Sequence, residues 1–222
     1  MKQYLCENLF DLRHTLARDA IRGEYAWEVP GMLGDIVLAL GQTLDPSEWE
    51  NPQAGVWISR TASLEEGATV RGPAIIGPDT EVRAGAYLRG GVLIGRGCVV
   101  GHATEIKNSL LFDGAKAPHF NYVGDSVLGW GAHIGAGTIL SNVRCDREKI
   151  VIRTDPPVST LLRKLGAVLG DGCEVGCGCV LNPGAVLGRG CTVYPLSSVR
   201  GIVPSQSIYK HYGEIALCER RP

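Results

Sequence analysis

The sequence predicts a mainly β protein, a parallel β-helix of hexapeptide repeats, with a short helical segment before it and an extension after it. Three observations carry this reading. Apolar residues recur every six positions from Ile58 through Leu64, Val70, Ile76, Val82, Leu88, Ile94, Val100 and Ile106 to Phe112. The beat then slips, resumes at Leu128, Ile134 and Leu140, and after an interruption returns at Leu169, Val175, Leu181, Leu187, Val193 and Val199. Two positions before these residues the side chain is usually small, as at Ala68, Ala74, Thr80, Ala86, Cys98, Ala132, Thr138, Cys173, Cys179, Ala185 and Cys191. Finally, 30 of the 222 residues are glycine without a collagen-like period, and many directly follow the aliphatic position, as Gly77, Gly95, Gly129 and Gly170 do. A period of six is neither helical nor a simple alternation. It suits a triangular coil in which each hexapeptide makes one short strand and one corner. The aliphatic residue points inward, the small residue fits the crowded corner, and glycine relieves the turn. Three hexapeptides close one coil, so residues eighteen apart stack at about 4.8 Å.

The remaining segments are read in order. Residues 1–52 carry Leu5, Leu9, Leu12, Leu16 and Ile21, then Met32, Leu33, Ile36, Leu38 and Leu40, which predicts two short helices that cap or flank the first coil. The coil spans 53–204, with an excursion at 143–166 around Asp155-Pro156-Pro157, and 205–222 form a C-terminal extension. Charge is balanced at 22 basic against 23 acidic residues, so no global field favours nucleic acid or an anionic membrane. No secretion signal and no membrane-spanning apolar run is visible. A cytoplasmic protein with neither nucleic-acid nor membrane partners is expected. Cys173, Cys177 and Cys179 do not have paired zinc-ligand spacing. Cys98, Cys173, Cys179 and Cys191 instead hold the small interior slot, where a thiol acts as a small hydrophobe. No metal is expected.

Candidate chemistry lies on the outer surface. Arg71, Arg89 and Lys107 each follow an inward aliphatic residue and are eighteen apart, so they form a ladder of cations on one edge. Stacked like charges repel unless something screens them. A sugar phosphate is a natural counter-anion; a solvated edge helped by Glu105 is the plainer alternative. The slip across 116–125 is read as a break where side chains leave the regular surface. His119 there is a candidate general base, because imidazole titrates near neutrality, or else a histidine satisfied within a bulge. Gly135-Ala136-Gly137 presents backbone N–H groups suited to an oxyanion.

From about Val56 to Pro204 the chain resembles the acetyltransferase domain of the bifunctional glucosamine-1-phosphate acetyltransferase/N-acetylglucosamine-1-phosphate uridylyltransferases, in the form found in archaeal-type sugar-1-phosphate nucleotidylyltransferases. The stretches that carry it are Glu105-Ile106-Lys107, Pro118-His119-Phe120-Asn121-Tyr122-Val123-Gly124-Asp125-Ser126, Ile134-Gly135-Ala136-Gly137-Thr138 followed by Asn142, and Arg163-Lys164-Leu165-Gly166-Ala167. The resemblance implies a left-handed coil and a homotrimer that uses acetyl-CoA as co-substrate, without metal, to acetylate the amino group of an amino-sugar 1-phosphate in nucleotide-sugar biosynthesis. It implies His119 as general base and the Ala136 N–H as oxyanion donor. Arg89, Lys107, Tyr122, Asn142 and Lys149 are then substrate-binding, and Cys177, Pro195 and Lys210 line the coenzyme A path. The chain departs from the pattern at His133, where the family has asparagine, and in the register of Lys149. It also shows no glycine-rich nucleotidyltransferase stretch before the coil, so uridylyl transfer is not expected. A zinc hydratase with the same coil fits poorly: His102, His119 and His133 are 17 and 14 residues apart and do not reproduce that class's ligand spacing. The alternative from a different class is a non-catalytic, regulatory module that binds a sugar phosphate or nucleotide sugar.

Overall fold

The computed structural model describes residues 1–211 and 214–217. Its fold class is the expected one, mainly β and a left-handed parallel β-helix. Three parallel sheets form the faces. The first face begins with Val56–Ser59, Ala74–Ile76, Val92–Ile94 and Ser109–Leu111 and ends with Ile202–Val203. The second face contains Glu81–Val82, Val99–His102, Lys116–His119, His133–Ile134 and Glu174–Val175. The third face contains Thr69–Val70, Tyr87–Leu88, Glu105–Lys107, Tyr122–Gly124, Ile139–Leu140, Val180–Leu181 and Ser198–Val199. Antiparallel strands cover an edge at each end: Trp49–Gln53 pairs with Val56–Ser59, and Ile215–Leu217 with Ser207–Tyr209. Covering an edge in this way blocks unwanted strand addition.

The aliphatic residues of the repeat fill a continuous interior in which Ile76, Val82, Leu88, Ile94, Val100 and Ile106 are fully buried. The small slot does more than save space. Thr80 Oγ1 donates to the Gly95 carbonyl at 2.7 Å, and the Cys98 and Cys173 thiols donate to the carbonyls of Phe112 and Gly188, both at 3.1 Å. Hydroxyl or thiol at this position therefore donates to a carbonyl of the next coil; the Phe112 carbonyl also accepts from Ala115 N–H. The glycines after the aliphatic residue serve close stacking rather than the turn. A Cβ on Gly77 would lie 2.4 Å from the Gly95 carbonyl oxygen. The left-handed conformations belong to residues further along the corner, such as Gly97 at φ 63°.

The irregularity of the beat lies only partly where the spacing suggests. Register is eighteen residues from Thr69 to Tyr87 and from Tyr87 to Glu105, but seventeen from Glu105 to Tyr122 and from Tyr122 to Ile139. The missing residues are at the corners between the third and first faces, at Asn108 and Asp125, which both have φ 48°. Lys116–His119 is an ordinary strand of the second face. In consequence Leu111 and not Phe112 points inward, and Phe112 turns out to stack on Phe10 at 4.7 Å.

Phe10 belongs to the N-terminal segment, which lies along the first face. Ile75, Leu93, Leu110, Val127, Val168 and Val186 form one buried cluster with Phe10, Ile21, Trp27, Leu33 and Val37. Each fully buried side chain of this kind contributes about 1.5–3 kcal/mol. The second expected helix is present as Val29–Gly41, with proline in its first turn and Val29, Leu33, Ile36 and Val37 inward. The first is not one helix. It breaks into the short turns Cys6–Leu9, Leu12–His14 and Arg18–Ile21, joined by extended residues such as Phe10 and Thr15. Its backbone groups are used elsewhere: the Leu9 carbonyl accepts from Asp171 N–H, the His14 carbonyl from Asp113 N–H, and Asp11 N–H donates to the Asp171 carboxylate at 2.6 Å. Contacts with the coil thus replace intrahelical bonds.

Candidate functional site

With the first face covered, the open surfaces are the second and third faces and the corner between them. Register places Leu88 beside both Val70 and Ile106, so the next residues, Arg71, Arg89 and Lys107, stack along one edge of the third face. Each of these cations already has a partner. Arg71 and Arg89 lie 5.5 and 5.9 Å from the centre of the Tyr87 ring, a cation–π distance. Arg89 also donates to Glu105 at 2.7 Å. Lys107 donates to Asp125 at 3.1 Å. Asp125 is a residue the sequence reading did not single out. It is 4 % exposed and gathers Lys107, Asn108 at 2.8 Å and the amide of Asn142. Lys107 and Asn142 are therefore fixed by one carboxylate at a tight corner.

Tyr122 stands half-buried on the outer surface of the third face, in register with Glu105 and Ile139. Burial pushes its phenol above the ordinary range, and the Asp125 and Glu105 carboxylates push the same way; Arg89 and Asn142 partly oppose them. The phenol therefore remains a neutral hydrogen-bonding group well into alkaline conditions. These couplings join Arg89, Lys107, Tyr122 and Asn142 in one patch.

The second group of expected residues falls on the corner between the second and third faces. His119 pairs with His102 in the coil before it, and its carbonyl accepts from Gly137 N–H at 3.0 Å. The Ala136 carbonyl in turn accepts from Gly178 N–H, and that of Cys177 from Leu196 N–H. His119, Ala136, Cys177 and Pro195 thus follow one another down a single corner. His119, Cys177 and Pro195 are exposed and Ala136 is half-buried. Among the described residues no backbone carbonyl engages the Ala136 N–H. Asn121, also missed, holds this corner in shape: it is 3 % exposed, its Oδ1 accepts the His119 N–H at 3.0 Å, and its amide donates to the Gly135 carbonyl at 2.8 Å. Phe120 between them adopts a left-handed φ of 51° and is 59 % exposed. A bulky residue in that conformation is strained by about 1–3 kcal/mol. Both missed residues lie inside the stretch Pro118–Ser126, but nothing in their spacing distinguishes a buried clamp from a surface amide.

Three expected residues have other surroundings. Lys210 lies beside Tyr194 at the foot of the corner, with its ammonium held by Glu214 at 3.0 Å. Lys149 is exposed on the excursion, away from the patch's hydrogen bonds. His133 Nδ1 donates to the Glu174 carboxylate at 2.8 Å, which gives it a local role on the second face. Among the described residues no cluster of three or more histidine, cysteine, aspartate or glutamate side chains is arranged to hold a metal ion.

Known proteins match this chain over the coil. A bifunctional sugar-1-phosphate nucleotidylyltransferase/acetyltransferase of Sulfurisphaera tokodaii is 29% identical over 171 residues, covering 68% of this chain and 42% of the relative. A bifunctional GlmU protein of Herminiimonas arsenicoxydans is 34% identical over 153 residues, covering 67% of this chain and 32% of the relative. The chain thus spans less than half the length of these relatives. Among solved structures, perosamine N-acetyltransferase from Caulobacter crescentus shares 17% identity at a TM-score of 0.39, covering 70% of this chain and 56% of that one. The family model described as the GMPPB C-terminal domain matches residues 70–189, more than half of the sequence. By that match, this chain belongs to the GMPPB C-terminal domain family.

Proposed function

We propose that this chain is a hexapeptide-repeat acyltransferase that moves an acetyl group from acetyl-CoA to the amino group of an amino-sugar 1-phosphate, such as glucosamine 1-phosphate. The observation that carries this reading is the placement of His119, Ala136, Cys177 and Pro195 on one corner, beside a face that presents Arg89 and Tyr122. The acetyltransferase name of the Sulfurisphaera relative supports the same chemistry. His119 takes the proton as the amine attacks the thioester carbonyl, and the Ala136 N–H receives the developing oxyanion. Collapse of the intermediate breaks the C–S bond and releases coenzyme A along Cys177 and Pro195, and its thiolate takes up the proton from His119. A homotrimer completes the site. Its support is the surface left open: Phe120, Val180 and Leu196 are exposed on this corner and face, whereas the first face is already covered.

A non-catalytic module that binds a sugar phosphate is the second reading. One observation favours it: His133 stands where the resembled family has asparagine and is engaged locally with Glu174 at 2.8 Å. The two readings separate on one experiment. His119→Ala should lower thiol release from acetyl-CoA with glucosamine 1-phosphate by about 100-fold or more, with an unchanged melting temperature. Turnover that survives the substitution would remove His119 from the mechanism, and a wild-type chain without turnover or saturable acetyl-CoA binding would leave the binding module.

A further inference from the structure

The excursion between the third and first faces contains the hairpin Val151–Ile152 with Val158–Ser159. It lies close against the later coils because glycine leaves room. A Cβ on Gly184 would lie 2.8 Å from Ile150 Cγ2, and one on Gly201 would lie 3.2 Å from Arg153 Cδ. Arg153 is thereby laid across the coil next to Arg200. Between hairpin and coil is a cavity of about 260 Å³, with Arg144, Cys145, Asp146, Arg153, Asn182 and Arg200 in its lining. Arg144 is paired with Asp146, and Asn182 donates to Ser198 and Val199. Arg153 and Arg200 are exposed. Among the described residues neither has a carboxylate partner, in contrast to Arg89 and Lys107 on the same edge. Three arginines against one aspartate leave this lining with a net charge of two.

Guanidinium groups that line one cavity repel unless an anion lies between them. Their planar forks suit phosphoryl oxygens, which they bind in pairs. We propose that this cavity binds the diphosphate group of a soluble ligand. The register from Lys107 through Gly124, Ser141 and Asn182 to Arg200 puts Arg200 four coils, roughly 19 Å, from Lys107, while Ser141 and Val143 in the near wall of the cavity flank Asn142 of the patch. The arginines of the cavity take no part in the ion pairs of that patch, and binding there does not rest on the chemistry at His119. A nucleoside diphosphate sugar and coenzyme A both carry the required group.

Cys145, exposed on the lining, is a built-in reporter. In the full chain, iodoacetamide labelling at Cys145 is followed by peptide mass spectrometry, with an added free cysteine-containing peptide as reference and ionic strength matched by sodium chloride. Inorganic pyrophosphate at about ten times its Kd should slow labelling roughly tenfold. The double variant R153Q/R200Q should lose that protection, whereas R60Q and H119A should keep it. Parallel titrations with UDP and acetyl-CoA assign the source of the diphosphate, by which of them protects at the lower concentration. Unchanged labelling with all three ligands, or equal protection in R153Q/R200Q, would overturn the proposal. Because H119A keeps the protection, this outcome is independent of whether turnover depends on His119.

Discussion

Asp125 is the residue on which the third-face patch is organised. Its carboxylate is almost fully buried and accepts from Lys107, Asn108 and Asn142 together. Removing it leaves an ammonium and two amides facing one another without an acceptor. Asp125→Ala should therefore cost about 3 kcal/mol in urea unfolding, and Asp125→Ala with Lys107→Met should cost less than Asp125→Ala alone. If the double variant is no more stable than Asp125→Ala, the ammonium is not what Asp125 stabilises. The cysteines give a second test at the same scale. Burial pushes the thiols of Cys6 and Cys98 up to about 12, while Cys145 and Cys177 are exposed. A raised pKa keeps a thiol protonated and unreactive at neutral pH. Iodoacetamide at pH 7.5 should modify Cys145 and Cys177 in the native chain and spare Cys6 and Cys98. Acetyl-CoA should shield Cys177 if the coenzyme takes the proposed path; labelling of Cys177 that ignores the coenzyme would move that path elsewhere.

At the scale of elements, the N-terminal segment and the first face form a second core. Phe10 is 1 % exposed, stacks on Phe112 and joins the cluster around Leu110 and Val127. Phe10→Ala should lower stability by about 3–5 kcal/mol, read as a fall in the denaturant midpoint; a loss below about 1 kcal/mol would mean the segment is only loosely applied. The sequence makes part of this arrangement legible. The six-residue beat is enough to place Arg89 above Lys107, because stacking follows directly from the period; it does not place His119 and Ala136 on one corner, because they are seventeen apart and the coil there is one residue short. It does not locate the short corners at Asn108 and Asp125, because Phe112 is apolar and falls on the beat although Leu111 is the residue that points inward. The buried outer surface was also recorded in the sequence, in the runs Ala74-Ile75-Ile76 and Val92-Leu93-Ile94. Only the inward member of each run enters a six-residue count. The broken N-terminal helix escaped detection for a related reason: leucines spaced to face one side suit a flat sheet as well as a helix partner, and the backbone bonds to Asp113 and Asp171 decide between them.

At the scale of the whole molecule, the N-terminal segment runs opposite to the direction in which the coil grows. Tyr4 and Leu9 lie near Val186 and Ile202, Leu9 and Asp11 bond to Asp171, His14 bonds to Asp113, and Gly41 packs on Trp57. A bare solenoid is held by nearest-neighbour contacts, so its end coils fray one at a time and its stability is close to a sum over repeats. Here one strip touches early, middle and late coils together. Loss of the last coil therefore strips Tyr4 and Leu9 of their cover, and release of those residues weakens the attachment of every coil beyond them. The strip turns a linear stack into a single cooperative body, and it fixes the spacing of the corner and the excursion along one axis, as a spine does for vertebrae.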